Sequence, residues 1–185
     1  MTTTMDRYFI GILPPEDIGA RVRAWQEELA TKFDTKASLR SPPHITMHMP
    51  FLWKGSRRHE LVDGLAKYFE NVKAFGVEFN NVGAFPPRVI FLDVKGTTAL
   101  LDCQQGLTRF CRKEFDLHNS NYGDHPFHPH MTLAFRDLRK ANFSVAWEEY
   151  RERVFRDAFT VTHVVLLKHT GKAWNAYRAF ALNGD

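Results

Sequence analysis

Thiols are scarce in this chain: its 185 residues include two cysteines, Cys103 and Cys111. They stand eight positions apart in a stretch that reads as helix, so about two turns or ~12 Å separate them, too far for a disulfide. Neither has a second cysteine at metal-binding spacing, which disfavours zinc held through sulfur. Both are expected as reduced thiols, a pattern that points to the cytoplasm. Long apolar runs are missing as well. No segment approaches the ~18 residues needed to cross a bilayer, so no membrane association is expected. The opening stretch MTTTMDRYFIGILPP carries a short apolar run, preceded by Asp6 and closed by Pro14-Pro15 without a small-residue cleavage pattern. It reads as a strand and not as a leader. An excess of one charge is also slight: 25 Lys and Arg against 21 Asp and Glu leave +4, with nine His uncounted. A sequence pI near 9.1 is compatible with an anionic partner, a phosphate ester or a nucleic acid, without requiring one.

What is present is ordinary globular material. Apolar residues make up 44% and charged residues 25%, which excludes disordered and fibrous classes. A chain of this length buries roughly 70% of its unfolded surface and can carry a pocket without disulfides or a structural metal. Apolar residues at Ile18, Val22, Trp25, Leu29 and Phe33 mark one face of a helix over 16–33. A strand over 8–13 precedes it, and a strand containing His44 follows. A second helix is predicted over 59–72, then strands over 77–85 and 88–94 joined at Pro86-Pro87. The pattern of Leu100, Cys103, Leu107 and Phe110 predicts a helix over 98–115, followed by a turn-rich stretch, 118–124. A short helix within 142–153 and strands over 155–161, 163–168 and 174–182 complete the chain.

The sequence repeats itself. Strand, helix, PHITM strand and helix are echoed by strand, helix, PHMTL strand and helix, with 36 residues from Tyr8 to His44 and 39 from Phe91 to His130. Such internal similarity implies two related lobes. No linker-like boundary separates them, so residues 1–185 are expected to form one domain of two intertwined lobes. A lone His-x-Thr is cheap, with ~0.6 copies expected by chance in such a chain. Requiring a preceding Pro and apolar residues on both sides of the Thr lowers that to ~0.004. Two such pentamers, at 43–47 and 129–133, are therefore informative.

Period-2 strand geometry explains the spacing. His44 and Thr46 share one face, as do His130 and Thr132, while Ile45, Met47, Met131 and Leu133 point to the core. Two imidazoles and two hydroxyls around one small anion suit phosphoester chemistry. One neutral His accepts a proton from the attacking oxygen, and one protonated His donates to the leaving oxygen. The Thr hydroxyls donate to the non-bridging oxygens. Two other readings stand beside this one. His44, His48, His128 and His130 share parity within their segments and would suit a metal hydrolase, although neither segment supplies a carboxylate except Asp124 upstream. A nucleotide- or RNA-binding module without catalysis is the other. Parity alone does not separate His44 from His48. The repeat does, because alignment of the two pentamers sets His48 against Ala134 and His128 against Pro42.

Paired H-x-T motifs about 85 residues apart in a duplicated α+β chain resemble the two-histidine (2H) phosphoesterase superfamily, the family of 2′-5′ RNA ligases and cyclic phosphodiesterases. The likeness runs through PPHITM, FPPRVIFLDV, FHPHMTLAF and the closing YRAFAL. It implies an α+β, bilobal, pseudo-twofold fold with a cleft between two antiparallel sheets. It also implies metal-independent, cofactor-free opening of a cyclic phosphate on an RNA end or a small nucleotide, with 2′-5′ ligation in some members. His44 and His130 take the catalytic positions of the motif, and Thr46 and Thr132 the phosphate-binding ones. Ligase members commonly carry Arg five residues after the second His, where this chain has Phe135 and then Arg136. Arg136 shares the parity of His130, and Arg88 begins a strand; both are candidates for anion contact. Phe85, Trp174 and Tyr177 are candidates for stacking a base.

Overall fold

A computed structural model describes residues 4–120 and 125–184. The end of the turn-rich stretch, 121–124, including Asp124, lies outside the described residues. The chain forms strands β1 (Met5–Ile12), β2 (Ile45–Lys54), β3 (Phe75–Phe85), β4 (Val89–Val94), β5 (His130–Ala134), β6 (Ala158–Val161), β7 (His163–His169) and β8 (Trp174–Ala181). Helices α1 (Glu16–Phe33), α2 (Arg58–Phe69), α3 (Thr98–Phe115) and α4 (Lys140–Tyr150) intervene.

Helix α1 starts after Pro15 with Glu16 and Asp17 in its first turn and Lys32 in its last, an order that matches the helix dipole. It ends at Asp34, whose φ of 53° is left-handed. The expected apolar stripe is buried at Ile18, Val22, Leu29 and Phe33. Trp25 packs only partly against the core, and Gln26 is buried beside it. Helix α3 begins behind Thr97, whose hydroxyl accepts from the Leu100 amide at 3.3 Å, and buries Leu100, Cys103, Leu107 and Cys111. Both cysteines are free, and burial pushes each thiol up to about 12. Helix α2 ends at Phe69, so Val72 falls in the turn that follows.

The strands form one eight-stranded antiparallel sheet in the order β6-β3-β4-β5-β2-β1-β7-β8, where two sheets were expected. Its middle is thin: β2 and β5 are joined by the single register pair Ile45–Met131, with four strands on either side. The main core covers one face of this curled sheet and draws on residues from Tyr8 to Leu182. Ile45, Met47, Met131 and Leu133 all belong to it. A smaller apolar cluster of Phe9, Val165 and Leu167, with Leu13 and Trp174 against it, is separate from that core.

Candidate active site

Because Ile45 and Met131 face the core, the residues on either side of them face the other way. His44, Thr46, His130 and Thr132 are all half-buried. The Ile45–Met131 pair is antiparallel, so position 44 lies across from 132 and position 46 across from 130. Side chains directly opposite on one face stand about 5 Å apart at Cβ, and diagonal ones about 7–8 Å. Each histidine thus neighbours the threonine of the other motif, and the two imidazoles lie on a diagonal.

The two rings are held alike. Nδ1 of His44 donates to the Pro42 carbonyl at 2.7 Å, and Nδ1 of His130 to the His128 carbonyl at 2.7 Å. A carbonyl only accepts, so Nδ1 carries the proton and Nε2 holds the lone pair when either ring is neutral. Proline at 43 and 129 keeps the preceding residue extended, the conformation from which its carbonyl reaches the ring. Neither Thr46 nor Thr132 spends its hydroxyl on another group among the described residues. The Thr132 carbonyl accepts from Nε2 of the buried Gln26 at 2.8 Å, which ties β5 to α1.

Burial pushes the His44 imidazole down to about 4; the Pro42 carbonyl opposes that shift, while the charges of His130 and Arg23 add to it. Burial also lowers His130, opposed by the His128 carbonyl and by Asp93. An imidazole that binds its proton more weakly when folded contributes full stability above its ordinary value of 6.5, and that stability drains away as pH falls toward 4. For His44 the gap corresponds to roughly 3 kcal/mol. His44→Asn, whose amide can still donate to the Pro42 carbonyl, is therefore expected to lose less stability than the wild type between pH 7 and pH 4.5. Denaturant melts at both pH values check this; parallel losses would contradict it.

Asp93 lies opposite His130, and Phe91 opposite Thr132, on β4. Rings crowd this side: Phe91 is 5.0 Å from His130 and Phe85 5.3 Å. His128 is exposed, bonds Asp93 Oδ1 through Nε2 at 2.8 Å, and stands 6.2 Å from His130 ring to ring. On the other side Phe9 is 4.6 Å from His44 and Trp174 4.8 Å from Phe9. Phe9, Phe91, Asp93 and Gln26 were not among the sequence candidates.

His48 departs from the parity expected for it. Ile10 pairs with His48 and Gly11 with Thr46, so one step on β1 faces two on β2. This bulge turns His48 into the core, where it is 0% exposed, donates from Nδ1 to the Met49 carbonyl at 2.9 Å and leaves Nε2 without a partner among the described residues. The four-histidine metal site is therefore not assembled, because His48 sits on the wrong face. His48→Leu is expected to leave any chemistry at His44 and His130 intact and to raise the melting temperature at pH 5 relative to wild type, since burial lowers the His48 pKa and its protonation opposes folding. A variant that instead loses both stability and activity would place His48 in the site.

The remaining candidates divide. Phe85, 40% exposed at the end of β3, and Trp174 both join the aromatic surroundings of the histidines. Arg88 is exposed at the tip of the β3–β4 hairpin, after the cis Pro86-Pro87 bond, with its amide bonded to the Phe85 carbonyl. Arg136 lies beyond the end of β5 with a φ of 54°, so strand parity does not reach it; it is exposed and its guanidinium lies over Phe135. Tyr177 packs on Tyr8, a residue of the main core, and beneath Arg58, away from the histidine face. A bulge in β8, where Leu167 pairs with Ala176 and Leu166 with Arg178, passes over Tyr177. A groove of about 520 Å³ along Glu78, Asn80 and Arg156 holds neither histidine.

The family model of the 2′-5′ RNA ligase superfamily matches residues 14–173. No curated protein matches the sequence. Among solved structures, TT0787 of Thermus thermophilus superposes with a TM-score of 0.67 at 20% identity, over 97% of this chain and 99% of that one. E. coli LigT complexed with 3′-AMP gives 0.65 at 16% identity, over 97% and 98%. The MHV ns2 PDE domain gives 0.51 at 18%, over 88% and 99%. Other LigT structures hold phosphate, NADP+ or ATP. Among the described residues no helix is long and apolar enough to cross a membrane. With its paired His and Thr on one sheet face and a family match over most of its length, the chain belongs to the 2′-5′ RNA ligase superfamily, the two-histidine phosphoesterases.

Proposed function

We propose that this protein is a metal-independent cyclic phosphodiesterase that opens a 2′,3′-cyclic phosphate on an RNA end or a small nucleotide. The observation that carries the reading is the matched pair of imidazoles, each with Nδ1 bound to the carbonyl two residues back and Nε2 left for chemistry. In the free protein both rings favour the neutral form. A phosphate anion entering between them favours protonation of one. The neutral histidine then accepts a proton from water at Nε2 as the water oxygen bonds to phosphorus. The bond from phosphorus to one ribose oxygen breaks, and the protonated histidine gives its Nε2 proton to that oxygen, leaving a phosphate monoester. Thr46 and Thr132 donate to the non-bridging oxygens as charge gathers there. With the histidines in the same roles and the 3′ oxygen leaving, a 5′ hydroxyl in place of water forms a 2′-5′ linkage, the ligase direction; cleavage of that linkage exchanges the two roles. The 3′-AMP, NADP+ and ATP complexes of LigT support a nucleotide as the substrate.

The reading includes one pseudo-twofold domain of two intertwined lobes over residues 1–185, acting as a cytoplasmic monomer in RNA processing with no protein partner required. Arg88, Phe85 and Trp174 are assigned to the rest of the substrate in this reading. The experiment is a panel of 2′,3′-cyclic mononucleotides, cyclic-ended RNA, ADP-ribose cyclic phosphate and 2′-5′ oligoadenylate, run with and without a chelator. Hydrolysis of a cyclic phosphate that survives chelation supports the proposal. Turnover that is lost on chelation, or none with any member of the panel, overturns it.

A further inference from the structure

Each histidine has a phenylalanine against it, and the duplicated pentamers give no sign of this. Phe9 and Phe91 are both 3% exposed, yet neither belongs to the main core. Phe9 lies 4.6 Å from the His44 ring with the planes 41° apart, and Phe91 lies 5.0 Å from the His130 ring at 53°. A glycine stands by each phenyl ring. Gly83 pairs with Phe91 across β3 and β4, and a Cβ there would come within 2.5 Å of Phe91 Cε2 and 2.8 Å of Cζ. A Cβ on Gly11 would stand 3.0 Å from the Ile45 carbonyl oxygen on β2, 3.2 Å from Phe9 Cε2 and 3.6 Å from His44 Cβ, so Gly11 serves the approach of the strand as well as the ring.

The Nδ1 bond fixes one point of each imidazole but leaves the ring able to tilt about the line to the carbonyl. The tilted phenyl ring packed against each imidazole removes that freedom, and the glycine lets the phenyl ring lie close enough to do so. We propose that Phe9 and Phe91 are positioning residues that set the tilt of the two imidazoles, and that Gly11 and Gly83 provide the clearance each ring requires. The proposal deepens the acid–base reading of the two histidines and rests on it for its kinetic consequence. The geometric claim about the ring is independent of it.

The test is a double-mutant cycle at Gly83 and Phe91, read by steady-state kinetics on a 2′,3′-cyclic nucleotide and by NMR titration of the His130 ring. Phe91→Leu keeps an apolar side chain that the fold tolerates. It is expected to lower kcat at least about tenfold with KM nearly unchanged, because an ångström of misplacement costs roughly 100-fold. The His130 titration should move up toward the ordinary value of about 6.5 as water reaches the ring. Gly83→Ala alone should also lower kcat, since its methyl displaces the Phe91 ring, and should cost nothing further in the Phe91→Leu background. Wild-type kcat with an unchanged His130 titration in Phe91→Leu overturns the proposal. So does a Gly83→Ala cost that is the same in both backgrounds, which would show that it acts through strand pairing. If the wild type turns over no cyclic phosphate, the functional reading fails, while the His130 titrations still decide the positioning claim.

Discussion

Replacing His44 or His130 with alanine is expected to lower kcat for cyclic phosphate opening by roughly 10²–10⁴-fold in each case, the usual worth of a placed acid or base. The two losses should not multiply. Proton acceptance and proton donation occur in one displacement, so the double variant should lose little more than the worse single variant. Both imidazoles are half-buried and each holds a backbone carbonyl, so alanine leaves one carbonyl without its donor. His44→Asn and His130→Asn retain that bond and separate chemistry from structure; they should be as inactive as the alanines. Binding of 3′-AMP measured alongside decides against the non-catalytic reading: variants that still bind it but no longer hydrolyse the cyclic ester leave a pure binding module without support. Full activity in either histidine variant would overturn the mechanism.

The second large effect belongs to the threonines. Thr46→Val and Thr132→Val preserve shape and remove the hydroxyl, and each is expected to lower kcat by roughly 10²–10³-fold, as loss of one donor to a developing oxyanion does. Serine at either position should restore most of the rate, because it returns the donor. The division between kcat and KM is informative. A donor that strengthens its bond as charge builds on the non-bridging oxygens affects kcat, whereas one that grips the ground state equally affects KM alone. Cross-strand geometry adds a further expectation. Thr132 neighbours His44 and Thr46 neighbours His130 across the Ile45–Met131 pair, so the couplings in double variants should be larger for those crossed pairs than within either motif. Steady-state kinetics on the four variants and the crossed doubles measure this.

The facing of His44, Thr46, His130 and Thr132 was readable because it depends on local rules. A Pro-His-apolar-Thr-apolar pentamer states its own facing through the period of a strand, and its second copy separated His44 from His48 and His130 from His128. Helices α1 and α3 were readable for the same reason, since the stripes Ile18–Val22–Leu29–Phe33 and Leu100–Cys103–Leu107 are properties of one segment. Their ends were less so: α2 stopped three residues short of Val72, where tertiary contacts decide whether another turn is worth keeping.

What the sequence by itself determined, then, is which groups share a face: two imidazoles and two hydroxyls, each pair on one strand. The tertiary structure decided everything that depends on a partner strand. It put His48 in the core, because a bulge is a mismatch in count between β1 and β2 and appears in neither strand alone. It joined the expected pair of sheets through a single residue pair, and it left Arg136 beyond the end of β5 and Tyr177 on the face of Tyr8. It also brought Phe91 to His130 and Phe9 to His44. Periodicity within a segment is written in consecutive residues, whereas register between segments is a choice among pairings that only packing of the whole chain makes.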